Sequence, residues 1–176
     1  MFYSVGVQPA VQNRRLQLLW LNQLLAVIAA VALCHCFQWT WLRALTQLSN
    51  LTVDAWFGVH MQPLTATTIS FQGLLYRYEV SCTFVDVWFG LLPLIWFKRQ
   101  SIRWNICWVL LWAASLFVFN IARLSFSDIL FAWGVPWSLA HSVLSGVCYY
   151  FVWRVARLAI DSQEMRSPDA ALSPSV

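Results

Sequence analysis

A thiol at Cys82, a guanidinium at Arg123 and an imidazole at His141 each stand at the mouth of a different apolar run. Together such groups can cleave an acyl bond. A thiolate attacks a carbonyl and forms a thioester, and neighbouring cations favour the thiolate over the thiol. An imidazole protonates the leaving amine and then serves as base for the incoming nucleophile. A fixed guanidinium donates to the tetrahedral oxyanion. Polar side chains at the edge of a membrane are costly to place, which marks them as candidates for function. Each also has a plainer reading: Cys82 as a small interfacial hydrophobe, Arg123 as a snorkelling anchor, His141 as a polar contact between helices. Their arrival on one side of one membrane favours the chemical reading.

The elements that must position them are membrane spans. Of 176 residues, 60% are hydrophobic and 10% charged, with 12 Trp and 12 Phe. Mean hydropathy is +0.63. Soluble domains carry charge on about a quarter of their residues, so this composition describes an integral membrane protein. The net charge of +4 does not mark a nucleic-acid binder, because the basic residues flank apolar runs instead of forming a patch. Four spans are expected: about Leu16 to Phe37, Cys82 to Phe97, the stretch from Arg103 to about Ile121, and about Trp137 to Val155. The second is short against the ~20 residues a bilayer asks for. The fold class expected is an all-α integral membrane protein with four transmembrane helices and a small extracytoplasmic β-hairpin before the second. Residues 1–160 form one transmembrane domain, followed by a disordered cytoplasmic tail over 161–176 that is rich in Ser, Pro and charge.

Charge sets the orientation. Arg14, Arg15, Lys98, Arg99, Arg103, Arg154, Arg157 and Arg166 fall on one side of a four-span topology, and Arg43, Arg77 and Arg123 on the other. The positive-inside rule then puts both termini in the cytoplasm. The first span is no cleavable signal peptide: it is too long, and Cys34-His35-Cys36 follows where a small-x-small site would be needed. Outside, Trp39 to Leu51 reads as an interfacial amphipathic helix anchored by Trp39 and Trp41. Thr65–Val80 alternates about Gln72-Gly73 as a hairpin leading to Cys82. Leu124–Pro136 reads as a headgroup-layer segment, with Pro136 in the first turn of the last helix. At 1.5 Å per residue, Arg123 lies about 30 Å from Arg103 and Cys82 about 24 Å from Lys98, so both reach the outer boundary, with His141 roughly 6 Å inside Trp137.

Supporting residues follow from helical spacing. Asp86, one turn from Cys82, needs a partner, and Arg123 is the candidate. Asn120 shares a face with Arg123 and could bond substrate backbone or cap the helix. Ser145, one turn from His141, could fix its tautomer or make an ordinary helix contact. Cys34, His35 and Cys36 splay too widely on a helix to hold a metal from one face, so no metal or cofactor is expected. Five cysteines, two of them within spans, imply no disulfide framework. His60 is a weaker candidate base. No phosphate-binding loop, dinucleotide fingerprint, zinc-protease helix or nucleophile elbow occurs.

The succession Cys82-Thr83, Pro93, Asn120-Ile-Ala-Arg123 and His141 resembles the exosortase/archaeosortase family. There a Cys-Thr/Ser-Gly motif opens one transmembrane helix, Asn-x-x-Arg closes the next, and a lone His opens the one after. The resemblance covers roughly Thr65 to Arg157. It implies Cys82 as nucleophile, Arg123 as oxyanion or substrate binder and His141 as acid/base. It also implies a multi-pass protein of the bacterial inner membrane with its site at the periplasmic face. The substrates implied are exported proteins ending in a sorting signal: a short motif, a transmembrane helix and a basic tail. Membrane lipids are the other expected partners. Two features depart from the pattern: Phe84 stands where the family usually has Gly, and the spans are fewer than in many relatives. A second reading is a non-catalytic scaffold or subunit of an envelope polysaccharide or transport complex. A proton or small-solute transporter ranks last, since the spans offer little polarity beyond Asp86.

Overall fold

The computed structural model describes the backbone of residues 8–97 and 100–165, and the side chains of residue 18, 21–97 and 100–160. Five helices and one small sheet follow one another: α1 (Gln8–His35), α2 (Thr40–Trp56), β1 (Gln62–Thr65), β2 (Thr68–Phe71), β3 (Leu74–Arg77), α3 (Val85–Ile95), α4 (Ile102–Ala132) and α5 (Leu144–Met165). A 3₁₀ turn over Val80–Thr83 precedes α3, and a π-helical turn over Ser138–Val143 leads into α5.

Two helical stretches, Ile102–Ala132 and Ser138–Ile160, are long and apolar enough to cross a membrane. Leu21–His35 and Thr40–Trp56 form a pair bent by 85°, which raises the number to three if the pair is one span. This is a multi-pass membrane protein by length and composition. The expectation of four full spans is met only in part. The helix expected over Cys82–Phe97 shrinks to the 11 residues of α3, about 16 Å at helical rise. Lys98 and Arg99, its expected stop, lie outside the described residues, as does the end of the expected tail over 166–176; α5 itself continues to Met165.

The sharp corner between α1 and α2 is made at Trp39, whose backbone is left-handed at φ 49. Its indole Nε1 donates to the Cys34 carbonyl at 2.8 Å, satisfying one of the acceptors that the end of α1 leaves open. Beyond the corner α2 is amphipathic in an inverted sense. Arg43, Thr46, Gln47, Asn50 and Asp54 recur at helical spacing and are buried. Trp41, Leu45, Leu48 and Trp56 face outward. An interfacial helix would turn its polar side to water. This one turns its polar side to α4 and leaves an apolar surface suited to acyl chains.

The expected hairpin is present and gains a third strand. β2 and β3 pair antiparallel, Thr68 with Arg77 through Phe71 with Leu74. Gln72 and Gly73 at the turn both have positive φ, 48 and 81, as a two-residue turn of the I′ type requires. β1 adds on the far side of β2, with an irregularity between Pro63 and Thr65. The sheet is tied to α2 by Gln47 Nε2, which donates to the Thr65 carbonyl at 2.8 Å, and by Arg43 Nε, which donates to the Tyr78 carbonyl at 2.5 Å.

α4 runs on past Arg123 to Ala132, so the expected headgroup segment Leu124–Pro136 is mostly helix. Its polar face explains why: Ser125, Ser127 and Asp128 are buried against neighbours and need no water. Two apolar cores result. Phe84, Leu91, Ile95, Leu116, Cys148 and Val152 pack between α3, α4 and α5. Ile69, Tyr78, Cys82 and Leu124 pack under the sheet. Gly90 lets α1 approach α3: a Cβ there would meet Val31 Cγ2 at 3.2 Å.

The chain passes from one core to the other at Phe84, which is left-handed at φ 56, ψ 13. A bulky residue in that region is an outlier, and it occupies the position where the resembled family usually places Gly. The kink aims Cys82 under the sheet while the Phe84 ring stacks on Tyr149 at 4.9 Å in the helical core. Phe84→Gly and Phe84→Ala both lose that ring, but only Gly relieves the backbone. Phe84→Gly should therefore be the more stable of the two by about 1 kcal/mol, reversing the ordinary helical order. Unfolding in detergent by chemical denaturation measures the difference, and an Ala variant equal to or above the Gly variant would remove the argument from strain.

Candidate functional site

Cys82 sits in the 3₁₀ turn and not in the first turn of a long helix, and only 6% of its surface is exposed. Its backbone is pinned from α4: Asn120 Nδ2 donates to the Cys82 carbonyl at 2.6 Å. Asn120 Oδ1 in turn accepts from an Arg123 terminal nitrogen at 3.1 Å. The other terminal nitrogen of Arg123 donates to Ser145 Oγ on α5. Arg123 is 5% exposed, its guanidinium carbon lies 5.0 Å above the Phe84 ring, and its Nε–H is buried without a partner. A cation held by two neutral oxygens has no counter-ion to blunt its field and keeps N–H donors unspent, the Nε–H among them, which suits it to an oxyanion.

His141 is carried by the π-helical turn. Ser127 Oγ lies 3.1 Å from the carbonyls of Arg123 and Ala140, bridging α4 to that turn. Pro136 starts it, its carbonyl accepting from the Leu139 and Ala140 N–H groups. Such insertions of one residue into a helix recur at functional sites. The imidazole stacks on Trp137, with ring centroids 4.9 Å apart and planes at 14°. Its Nδ1 is buried and has no partner. Ser145 does not fix its tautomer, because the hydroxyl donates to the His141 backbone carbonyl at 2.6 Å.

One residue joins the thiol to the imidazole, and spacing along the sequence does not single it out. Tyr76 on β3 places its hydroxyl 3.3 Å from Cys82 Sγ. The same ring meets His141 edge-on at 5.9 Å and Trp137 at 5.0 Å. Burial pushes the Tyr76 hydroxyl well above its ordinary pKa, and the Cys82 sulfur pushes it further. Burial also raises Tyr78, with Asp128 and Asp54 adding to the effect. Tyr76 also lines a cavity of about 140 Å³, together with Ile69, Phe71, Leu74, Phe131, Trp137 and Asp128 among others.

Asp86 does not pair with Arg123. Its Oδ2 is 4.0 Å from His35 Nε2, and its Oδ1 accepts from the Val87 N–H at 2.9 Å. The bend at Phe84 turns it toward α1, away from the face that carries Cys82. Cys34 is buried beside that corner and Cys36 is exposed. Sequence reasoning also passed over a buried polar seam between α2 and α4. Asn50 Nδ2 donates to Asp54 Oδ2 at 2.6 Å and to Asp128 Oδ2 at 2.7 Å, and Asn50 Oδ1 accepts from Ser125 Oγ at 3.3 Å. The four-residue spacing from Thr46 to Asn50 to Asp54 was the available signal.

The guanidinium is the part of the site most sensitive to a conservative change. Arg123→Lys keeps the charge but cannot bridge Asn120 and Ser145 while presenting a third donor. If the site stabilises an oxyanion, this variant should lose about 10²- to 10³-fold in kcat with little change in KM, read in single-turnover assays of peptide cleavage. No protein-family model matches this chain, and neither a curated protein nor a solved structure matches it.

Proposed function

We propose that this protein is a membrane-embedded cysteine transpeptidase or protease that cleaves C-terminal sorting signals of exported proteins. The observation that carries the reading is one connected network of hydrogen bonds and ring contacts. Cys82 and His141 share Tyr76, while Arg123 reaches the Cys82 backbone through Asn120 and the His141 backbone through Ser145. Three costly side chains from three separate segments are linked through shared neighbours, and Arg123 Nε and His141 Nδ1, two of the buried polar atoms without partners, are ones the chemistry would use.

Cys82 gives its thiol proton to the neutral His141 imidazole as Sγ attacks the scissile carbonyl carbon, and the carbonyl electron pair moves to oxygen. Arg123 donates to that oxyanion. The oxyanion collapses, the C–N bond breaks, and the leaving amine takes a proton from the His141 imidazolium. This leaves a thioester and a neutral imidazole. An incoming water or amine then gives its proton to His141 as it attacks the thioester, and Cys82 departs as thiolate. In this reading α1 and α3 cross together with α4 and α5. The short α3 is completed by its flanking turns in a locally thinned bilayer, both termini are cytoplasmic, and the site faces the periplasm of an inner membrane. The outward apolar residues of α4 and α5, Leu110, Val118, Val147 and Phe151 among them, give a substrate's transmembrane helix a lateral approach.

The direct test incubates purified protein with a peptide that carries a short motif, an apolar helix and a basic tail. Mass spectrometry should find the peptide's acyl fragment on Cys82. A preparation that cleaves the peptide while never carrying that adduct would exclude the thioester route.

A further inference from the structure

We infer that Tyr76 is a positioning residue for Cys82, its hydroxyl donating a hydrogen bond to the thiolate and holding the sulfur on the ring that also packs against His141. The inference rests on the reading of Cys82 as a nucleophile and adds a residue that neither the resemblance nor the spacing of polar groups supplies. Its basis is geometric. The hydroxyl lies 3.3 Å from Sγ, within the range of a hydrogen bond to sulfur. The ring is fixed on three sides by Tyr78 at 4.9 Å, Trp137 at 5.0 Å and His141 at 5.9 Å. A phenol clamped in this way cannot swing to another partner without unpacking the aromatic cluster. β3 reaches the 3₁₀ turn of Cys82 through Tyr78 and Glu79, so the hairpin itself sets the distance.

The charge balance allows one direction of donation. Neutral thiol and phenol can each donate to the other. Once the thiol has lost its proton, only the phenol has one to give, and burial keeps the phenol protonated. The other titratable or charged groups around the pair are Tyr78 next to it, Asp128 on the cavity wall, His141 beside the ring, Arg123 behind Asn120, and Arg43 on the Tyr78 carbonyl. All of them stay in place when the hydroxyl alone is removed. The ring also forms a wall of the 140 Å³ cavity. A substrate group seated there would therefore press on the same side chain that holds the nucleophile.

The experiment compares full-length wild type with Tyr76→Phe and with 3-fluorotyrosine incorporated at position 76. Alkylation of Cys82 by iodoacetamide is followed against pH, read by mass spectrometry on the peptide that contains it, so that Cys36 and Cys107 do not contribute. Loss of a hydrogen bond to a charged acceptor should move the midpoint of Tyr76→Phe upward by about one to two pH units. The fluorinated phenol, a stronger donor, should move it downward. The acidic limb of kcat/KM for peptide cleavage should follow both shifts. A midpoint unchanged in both variants would overturn the inference and leave Tyr76 as packing, because a packing role lowers rates without moving a titration. The two ideas fail separately: cleavage that persists in Cys82→Ala would sink the nucleophile reading, while the alkylation midpoints would still report whether the hydrogen bond exists.

Discussion

The Cys82→Ala protein is expected to insert in the membrane at the wild-type level and to cleave no sorting-signal peptide, a loss of about 10⁴-fold or more. The site's geometry makes these two outcomes separable. Cys82 contributes one sulfur to the small core under the sheet, beside Ile69, Tyr78 and Leu124, and its truncation there should cost about 1–2 kcal/mol. The bond that pins its turn comes from the backbone carbonyl to Asn120 and survives the substitution. Chemistry has no ready substitute, since Cys148, another buried thiol, packs in the helical core with Phe84 and not beside Tyr76 under the sheet. His141→Ala should give a comparable loss through the leaving-group proton, again with the membrane level intact. Cleavage of a tagged substrate in cells, with immunoblots of enzyme level, measures both variants. A Cys82→Ala protein that still supports processing would instead favour a scaffold of an envelope or transport complex, in which the thiol is filler.

How much of this could be read from residues alone differs by element. Cys82, Arg123 and His141 stood out as candidates because each interrupts or borders an apolar run, where a polar side chain is costly to place. The hairpin was legible from Gln72-Gly73, and the start of the final helix from Pro136. The length of α4 was not. Arg123 looked like an end because hydropathy falls there, yet the helix runs nine residues further to Ala132. The polar residues past Arg123 face protein, not water: Ser125 and Asp128 turn to α2 and Ser127 to the π-helical turn, and a hydropathy pattern cannot tell a polar face turned to solvent from one turned to protein. α2 misleads in the same way: its amphipathic spacing was plain, but which side is buried depends on a partner 78 positions away, Asp128 for Asn50. Tyr76 belonged to a strand whose register had to be known before its hydroxyl could be placed on Cys82. Arg123 was the candidate partner of Asp86 only if one straight helix carries Cys82 and Asp86, and the left-handed backbone at Phe84 breaks that helix.

The same seam yields the largest stability effect. Asn50→Leu should destabilise the fold by about 3–5 kcal/mol, the cost of leaving buried charged or polar groups without their partner. Asn50 and Asp54 are wholly buried and Asp128 nearly so. One amide serves three neighbours, giving a hydrogen to each carboxyl and accepting from Ser125. Leucine fills a similar volume and returns none of these. The loss should also be non-additive. Removing Asp54 as well, in Asn50→Leu with Asp54→Leu, leaves fewer orphaned oxygens, so the double variant should lose less than the two single variants combined. Denaturant unfolding in a fixed detergent, with intrinsic Trp fluorescence as the probe, measures all three. Strict additivity would mean that Asn50 does not bridge the two carboxyls. The position matters for the candidate site because α4 carries Asp128 and Arg123 on one continuous helix, five residues apart, and α2 carries Arg43, which holds the Tyr78 carbonyl at the exit of β3. Loosening α2 from α4 therefore releases the hairpin that presents Tyr76 to Cys82. Asn50→Leu should lower cleavage even in protein that remains folded at the assay temperature.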